Sequence, residues 1–310
     1  MSLTVLLAAG DATRAAYRPA LAEAFRTERL EVQLVTEAAP ETVDYIIYGP
    51  GSPVEDFRPF TRTRAVLSLW AGVEKIVTNP TLTQPLARMV DPALTAGMVE
   101  YVCGHVLRYH LGLDRHLHAR PGDWDPTPPP LAHEREVTVL GLGELGAACA
   151  HALVALGFRV RGWSRTRRDL PGILCHHGDE GLKNVLQSTE IIVTLLPHTE
   201  ATEGLLDADR FTQMPPGTFL INPGRGALID DDALLAALER GIIAGATLDV
   251  FREEPLPRDH PFWAHPAVTV TPHIAAATRA DSAARVIARN IARVEAGQPL
   301  LHAVDRGRGY

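Results

Sequence analysis

Short apolar runs of strand length alternate with segments of helical periodicity in the first third of the chain. The candidate strands are TVLLAA (4–9), LEVQLV (30–35), DYIIY (44–48) and AVLSL (65–69). Residues 13–29 and, over a longer stretch, residues 92–117 space their apolar side chains as a helix does. Strands that alternate with helices in this way predict a parallel α/β arrangement.

The same alternation resumes after residue 134. The candidate strands are REVTVLGLG (135–143), FRVRGW (158–163), EIIVTLL (190–196), GTFLINP (217–223), IIAGATLDV (242–250) and AVTVTPH (267–273). Helical patterns cover residues 231–240 and 280–295, and the second of these places Val286, Ile287 and Ile291 on one face. The segment PGDWDPTPPP (121–130), which precedes this region, is too rich in proline for a helix or a central strand and predicts a connector or an extended arm.

Length and composition favour a soluble two-domain protein over a nucleic-acid-binding or membrane protein. The chain has 310 residues, more than one typical domain, with 46% hydrophobic and 22% charged residues. Its net charge of −7 argues against nucleic acid and anionic membranes as partners, although local arginines could still bind a small anionic substrate. The apolar opening 3–9 lacks a basic flank and is too short to cross a bilayer, so we expect a soluble cytoplasmic protein.

The cysteines give no sign of a metal site or a disulfide framework. Cys103, Cys149 and Cys175 are odd in number and show neither C-x-x-C nor metal-ligand spacing. We therefore expect three reduced thiols and no metal.

A glycine-rich turn joins the candidate strand at 136–140 to a helical segment. The turn reads Gly141-Leu142-Gly143-Glu144-Leu145-Gly146. In a dinucleotide-binding turn the first glycine permits the bend, the second lets the backbone approach a pyrophosphate, and the third allows the helix to pack on the strand. A strand before the motif and a helix after it favour this function over a flexible glycine turn.

The next strand carries the residues that discriminate between the two nicotinamide cofactors. An NAD enzyme places an acid about 20 residues after the glycines, on the ribose 2′-hydroxyl. The sequence here is Trp163-Ser164-Arg165-Thr166-Arg167-Arg168, and the first acid is Asp169. Serine and arginine would bind a 2′-phosphate that a carboxylate would repel, so NADP(H) is favoured and NAD(H) is the alternative. A solvated surface loop would explain Arg167 and Arg168 but not the missing acid.

Three residues at the ends of late strands meet the demands of 2-keto acid reduction. The substrate carboxylate must be held, the carbonyl polarised, and a proton delivered as the alkoxide develops. Arg225, Glu254 and His273 each follow a candidate strand, where open α/β sheets place their ligands. Singly, each residue is more typical of a salt bridge or a packed side chain; their joint placement favours catalysis.

The ordered set of motifs resembles the D-isomer-specific 2-hydroxyacid dehydrogenases, and most closely their glyoxylate/hydroxypyruvate reductase branch. The segments that carry the resemblance are 141–146, WSRTR (163–167), LLPHTEAT (195–202), NPGRG (222–226), LDVFREEPLP (248–257), TPHIAA (271–276) and VDRGRGY (304–310). The resemblance implies two doubly wound, Rossmann-like parallel-sheet domains with an active-site cleft between them. It implies that residues 1–97 with 282–310 form the substrate domain and residues 98–281 the coenzyme domain. It also implies a homodimer, with the segment near 119–132, including Trp124, as its arm.

The same resemblance implies a role for each site residue. His273 would be the proton donor, Glu254 would hold the imidazole in its protonated form, and Arg225 would bind the substrate carboxylate and carbonyl oxygen. Backbone amides of Ala71-Gly72-Val73 would anchor the carboxylate from the other domain, and Asp249 would contact the nicotinamide carboxamide. Further cofactor contacts are expected at Leu196, Pro197, Thr202, Asn222, Pro223 and Gly224.

Three positions leave details open. Trp70 stands where the family commonly has a small residue, and it either narrows the substrate pocket or packs in the core. Gly49 stands where close relatives carry an aromatic residue, a space that Trp70 could refill. Glu253 lies beside Glu254, and the family register favours the glutamate directly before the proline.

Two other functions compete with reduction of a small keto acid. A bulkier 2-hydroxy acid would be the substrate if Gly49 and Trp70 reshape the pocket. A non-catalytic dinucleotide sensor could use the same fold, because a fold does not guarantee activity. The presence of Arg225, Glu254 and His273 together argues against a sensor, which does not need them.

Overall fold

Parallel strands form two separate sheets, as the alternating sequence pattern predicts. A computed structural model describes residues 2–307. One unit comprises the chain up to Leu94 together with the chain from Ala277 onward, and the other comprises Thr95–Ala276. The prediction of two parallel-sheet α/β domains is confirmed. The last three residues of the predicted motif 304–310 lie outside the described residues.

The first unit contains a five-stranded sheet in the order β2-β1-β3-β4-β5. Its strands are β1 (Leu3–Ala8), β2 (Val32–Val35), β3 (Tyr45–Tyr48), β4 (Ala65–Ser68) and β5 (Leu86–Ala87). Its helices are α1 (Asp11–Thr27), α2 (Glu74–Val77) and α9 (Ala280–Glu295). Helices α1 and α9 pack together, and Leu21, Phe25, Ile287 and Ile291 share one apolar core with the sheet. The first unit therefore takes part of its core from a helix that follows the second unit in the chain.

The second unit contains a seven-stranded sheet in the order β12-β11-β10-β9-β6-β7-β8. Its strands are β6 (Glu136–Leu140), β7 (Arg159–Ser164), β8 (Leu174–His177), β9 (Ile191–Thr194), β10 (Thr218–Asn222), β11 (Ile243–Leu248) and β12 (Val268–Val270). Its helices are α3 (Pro92–His110), α4 (Leu113–Leu117), α5 (Glu144–Ala155), α6 (Gly178–Leu186), α7 (Ala208–Phe211) and α8 (Asp231–Glu239). From β6 the chain adds β7 and β8 on one side of the sheet, and it then returns to add β9 to β12 on the other side. The point between β6 and β9 where this order reverses is where doubly wound sheets bind ligands.

The structure corrects the helix predicted over residues 92–117. Helix α3 ends at His110, and Gly112 takes a left-handed conformation with φ of +63° before α4 begins. Glycine adopts this conformation without a steric penalty, and it commonly ends a helix. The apolar periodicity continues across this break, which is why the pattern alone predicted one helix.

The structure also corrects part of the account of Trp70 and Gly49. The Trp70 residue is 40% exposed and its ring meets Tyr48 edge-on, with centroids 6.3 Å apart, so it does not pack in the core. A Cβ atom at Gly49 would lie 2.8 Å from Cδ1 of Leu69 and 3.2 Å from Cβ of Ala9. Leu69 and Ala9, rather than Trp70, therefore fill the space beside Gly49.

Residues 119–131 contain no helix or strand, which confirms the prediction for the proline-rich segment. Trp124 within it is 90% exposed. Over the described residues, no helix is both long enough and apolar enough to cross a membrane. Cys103, Cys149 and Cys175 are free thiols.

Candidate active site

The glycine turn after β6 shows which of its positions packing requires. Gly141 has φ of +104°, and a Cβ atom there would lie 2.4 Å from the carbonyl oxygen of Leu195. A Cβ atom at Gly146 would lie 1.7 Å from the carbonyl oxygen of Gly141. At Gly143, by contrast, an added Cβ would meet no described atom within 4 Å. The turn is therefore closed on its packing side and open at the N-terminus of α5, as binding of a pyrophosphate requires.

The end of β7 offers cations and a hydroxyl where a cofactor ribose would lie. The Trp163 indole is buried and donates to the carbonyl oxygen of Gly178 at 2.8 Å, which joins this strand to the start of α6. Ser164 donates to the carbonyl oxygen of Thr166 at 2.7 Å and so shapes the following turn. The side chains that follow, from Arg165 to Arg168, are exposed. This composition fits a phosphate better than it fits a free ribose hydroxyl.

The segment after β9 is braced internally by one threonine. The Thr202 hydroxyl donates to the carbonyl oxygen of Pro197 at 2.7 Å and accepts the backbone N–H of Thr199 at 2.8 Å. Leu196, just before it, is buried. These contacts hold the segment 196–202 in a compact turn at the same sheet edge as Gly143.

Asn222, at the end of β10, shapes the turn that presents Arg225. Its Oδ1 accepts the Thr194 hydroxyl at 2.6 Å and the Gly224 backbone N–H at 3.2 Å, and its Nδ2 donates to the carbonyl oxygen of Arg225 at 3.0 Å. A Cβ atom at Gly224 would lie 2.7 Å from the carbonyl oxygen of Thr194. The buried amide and the glycine explain why the sequence Asn-Pro-Gly-Arg forms a tight turn here.

The loop that carries Arg225 packs backbone to backbone on the loop that carries Glu254. A Cβ atom at Gly226 would lie only 2.0 Å from the carbonyl carbon of Phe251. Arg225 itself is partly buried and its Nη1 donates to the carbonyl oxygen of Gly224 at 2.7 Å. A glycine at 226 is therefore what allows the two loops to approach each other this closely.

Glu254 and His273 form a direct hydrogen-bonded pair. Nδ1 of His273 lies 2.7 Å from Oε2 of Glu254, with the two side chains 52% and 36% exposed. His273 has φ of +53°, and its backbone N–H donates to the carbonyl oxygens of Asp249 at 2.8 Å and Thr271 at 3.0 Å. With Nδ1 held by the carboxylate, Nε2 is the ring nitrogen left to meet a substrate.

Asp249 fixes the loop that carries His273. The residue is fully buried, and its carboxylate accepts the Thr271 hydroxyl at 2.6 Å and the backbone N–H groups of Ile274 and Ala275, both at 2.9 Å. The Tyr101 hydroxyl on α3 lies 2.7 Å from the Thr271 hydroxyl. Burial is the main reason why the pKa of Tyr101 is raised.

The predicted carboxylate anchor belongs to the first unit. Trp70, Ala71, Gly72 and Val73 form the loop between β4 and α2. The Trp70 backbone N–H donates to the Ser68 hydroxyl at 3.1 Å and its carbonyl oxygen accepts the Met89 N–H at 2.9 Å. The other predicted residues, from Gly141 to His273, lie on the second unit.

Sequence reasoning missed Arg252, Tyr101 and Thr271. Arg252 makes four hydrogen bonds to neighbouring loops, and it belongs to the motif LDVFREEPLP, but that motif pointed to Asp249 and Glu254 rather than to Arg252. Tyr101 lies within a helical pattern that suggested packing only. Thr271 had a signal, because it belongs to TPHIAA, the same motif as His273. In residues 2–307, no group of three or more histidine, cysteine, aspartate or glutamate side chains is placed to hold a metal ion.

Comparison with known proteins gives a consistent result. The family model for the D-isomer specific 2-hydroxyacid dehydrogenase, NAD binding domain, matches residues 105–275. The chain is 39% identical over 279 residues to a glyoxylate/hydroxypyruvate reductase A from Yersinia enterocolitica, covering 87% of this chain and 88% of that protein.

Two solved structures resemble the whole chain. A D-isomer specific 2-hydroxyacid dehydrogenase from Xanthobacter autotrophicus Py2, in complex with NADPH and MES, is 40% identical with a TM-score of 0.91, covering 100% of this chain and 99% of that one. An NADPH-dependent glyoxylate/hydroxypyruvate reductase from Sinorhizobium meliloti, in complex with NADP and sulfate, is 34% identical with a TM-score of 0.86, covering 100% of both chains.

Proposed function

The chain belongs to the D-isomer-specific 2-hydroxyacid dehydrogenases, and from that premise we propose that it reduces a small 2-keto acid, of the glyoxylate or hydroxypyruvate type, to the 2-hydroxy acid with NADPH. The observation that carries the proposal is the 2.7 Å contact between His273 and Glu254, at the same sheet edge as Arg225 and the glycine turn. A proton donor, a cation for a carboxylate and a dinucleotide turn are the three parts that this reaction needs.

His273, Glu254 and Arg225 each have a separate role in the proposed reaction. Nε2 of His273 donates a proton to the carbonyl oxygen, and Glu254 stabilises the imidazolium and fixes its tautomer. The Arg225 guanidinium binds the substrate carboxylate and orients the keto group. Backbone N–H groups of the loop from Ala71 to Val73 supply a second carboxylate anchor. NADPH, when bound, supplies the hydride.

The cofactor is held by the second unit. Gly141 to Gly146 and the N-terminus of α5 receive the pyrophosphate, and Ser164 with Arg165 and Thr166 receives the 2′-phosphate. The segments 196–202 and 222–224 would line the path towards the nicotinamide, whose carboxamide would meet the loop that the buried Asp249 holds in place. The open space at Gly143 and the exposed guanidinium groups after β7 support this placement.

We also propose the domain roles, the oligomer and the location. Residues 1–97 with 282–310 form the substrate domain and residues 98–281 the coenzyme domain, a division that the two compact units support. The protein is a homodimer whose arm is the segment 119–132, and exposure of 90% of Trp124 supports this role. It acts in the cytoplasm, which is consistent with its three free thiols.

The direct test is oxidation of NADPH and NADH, followed by absorbance, with glyoxylate, hydroxypyruvate, pyruvate and an aromatic 2-keto acid. We expect rapid NADPH consumption with the small acids, slower consumption with NADH, and loss of turnover in H273A. H133A is the matched control, because His133 is an exposed histidine before β6 at the opposite edge of the sheet.

Two outcomes would contradict the proposal. Turnover of the aromatic acid alone would preserve the mechanism and reject the small-substrate assignment. Tight NADPH binding without turnover of any keto acid would reject the reductase and favour a dinucleotide sensor.

A further inference from the structure

Arg252 lies two residues before Glu254, but its side chain reaches the loop that follows Arg225. Its Nε and Nη2 donate to the carbonyl oxygen of Ile229 at 3.0 and 2.7 Å, and Nη2 also reaches the carbonyl oxygen of Ala227 at 3.4 Å. Both acceptors lie within four residues of Arg225. One guanidinium thus spans the loop of the carboxylate-binding arginine and the loop of the catalytic glutamate.

The same guanidinium extends to a third loop. Its Nη1 donates to Glu203 at 2.8 Å, and the other oxygen of that carboxylate contacts His198. Glu203 directly follows Thr202 and lies just outside the segment 196–202 that we assign to the cofactor. The hydrogen bond from Arg252 is the main reason why the pKa of the Glu203 carboxyl is lowered, with His198 contributing less.

The contacts of Arg252 add to the close backbone approach of Gly226 to Phe251. That approach and the pairing of β10 with β11 up to Asn222 and Leu248 join the two loops close to the strand ends. The Arg252 side chain adds a further attachment between the two loops, on the carbonyl oxygens of Ala227 and Ile229, which follow Gly226 in the chain. A planar guanidinium with several fixed N–H groups is suited to hold such acceptors, whereas an ammonium group is not.

We propose that Arg252 is a positioning residue that fixes the carboxylate-binding Arg225 relative to the proton-donating pair of His273 and Glu254. Through it, the substrate carboxylate and the carbonyl oxygen are held at the separation that proton transfer needs. This role rests on the proposed function, because it presupposes a keto acid on Arg225. The bonds to the two carbonyl oxygens carry the role, and the ion pair to Glu203 is secondary.

The test compares steady-state kinetics of R252M, R252K and E203Q with the full-length wild-type protein, using NADPH and glyoxylate or hydroxypyruvate. The matched control is R159M, because Arg159 also bonds a carbonyl oxygen and a carboxylate, those of Glu134 and Glu136, but at the amino end of β7. Thermal unfolding and NADPH binding by fluorescence are measured for every variant.

For R252M we expect kcat/KM for the keto acid to fall by about ten- to a hundredfold, since misplacement by about 1 Å can cost a hundredfold. The loss should include a raised KM for the keto acid, while the KM for NADPH stays within about twofold. R252K should recover only part of the activity, and E203Q and R159M should remain near wild type. A purely structural role would instead lower the unfolding temperature without splitting the two KM values.

Three results would overturn the proposal. They are an unchanged keto-acid KM in folded R252M, full activity in R252K, and a loss in E203Q as large as that in R252M. If R252M does not fold, R252K decides by the same criteria. An inactive wild-type protein that still binds NADPH would reject the proposed function itself, and that result is distinguishable from failure of Arg252 alone.

Discussion

Oε2 of Glu254 lies 2.7 Å from Nδ1 of His273, while Oε1 of the same carboxylate accepts the backbone N–H of Phe251 at 2.9 Å. Both oxygens are therefore engaged, and the carboxylate is held against rotation. Because the second contact is to the residue three positions earlier, a short turn of the chain aims Glu254 at the imidazole. The neighbouring Glu253 is exposed.

Replacing Glu254 with glutamine removes the charge that stabilises the imidazolium but keeps the shape of the side chain. We expect kcat to fall by about a hundredfold, at the lower end of what positioned acid–base groups contribute. The measurement is the initial rate at saturating NADPH and keto acid. E253Q is the control and should keep nearly full activity. A loss in E253Q as large as that in E254Q would contradict the assignment of this role to Glu254.

Gly226 tests the backbone contact between the two catalytic loops. In G226A the new Cβ would lie 2.0 Å from the carbonyl carbon of Phe251, so the backbone must shift. We expect the free energy of unfolding to fall by about 1–3 kcal/mol and activity to be largely lost. The matched variant is G104A, in the interior of α3, where the new Cβ meets no described atom within 4 Å. Chemical denaturation should show G104A to be more stable than wild type by up to about 1 kcal/mol, since alanine favours a helix.

The end of β7 should decide cofactor preference. A carboxylate in S164D would repel the 2′-phosphate and accept a hydrogen bond from the ribose hydroxyl of NADH. We expect the ratio of kcat/KM for NADPH to that for NADH to fall by about a hundredfold, equivalent to about 2.7 kcal/mol. S188D adds the same charge before β9 and should leave the ratio unchanged. If the ratio of kcat/KM for NADPH to that for NADH is unaltered in S164D, Ser164 does not belong to the cofactor site.

The burial of the Tyr109 hydroxyl leads us to expect that the stability of the protein depends on pH. The residue is 5% exposed, its hydroxyl lies 2.7 Å from that of Thr247, and burial is the main reason why its pKa is raised to about 12. Because the pKa in the unfolded chain is about 10, the stabilisation is complete below pH 10 and is lost as the pH rises towards 12.

The variant Y109F separates this effect from other titrations. At pH 8 it should be less stable than wild type by about 1 kcal/mol, owing to the lost hydrogen bond. The difference should vanish or reverse near pH 11, because each pH unit costs the wild-type protein about 1.4 kcal/mol. Urea denaturation at both values measures it, and a constant difference would contradict the prediction.

The arm residue Trp124 tests the proposed dimer. We expect the wild-type protein, with a chain mass of 33.6 kDa, to sediment at about twice that mass. W124A should weaken association, because exposed aromatic side chains contribute strongly to interfaces. W263A is the control, since Trp263 is a 53% exposed tryptophan outside the arm. A wild-type protein that sediments as a monomer would reject the dimer.

Elements with strong periodicity could be predicted closely from the sequence. Helix α9 spans the predicted residues 280–295, because its apolar side chains repeat on one face. The helical segment predicted after the glycine-rich turn is α5, which begins at Glu144, within the turn that marks the start of the helix. Strand β8 was not predicted, because its sequence, which ends in His176 and His177, lacks an apolar run; it lies at the edge of the sheet and pairs with β7.

The candidate site could be predicted as a set of residues but not as a geometry. The motif register predicted Glu254 as the partner of His273. The structure brings the two side chains into contact, which the spacing of the residues along the chain could not show by itself. The roles of these residues stay predictions. The role proposed for Arg252 could not be predicted, although the residue lies in the motif LDVFREEPLP, because the acceptors that carry the role are backbone carbonyl oxygens about 25 residues away, which leave no trace in side-chain identity.

The packing of α9 against α1 has a consequence for synthesis on the ribosome. The second unit occupies a continuous stretch, so it can fold as soon as Ala276 has emerged. The first unit, although it is translated earlier, lacks Ile287 and Ile291 from its core until α9 follows. The sheet of the first unit therefore keeps an apolar face uncovered, and its folding stays incomplete, while about 180 residues of the second unit are made. Of the two units, the one whose synthesis begins earlier is the one that finishes folding later.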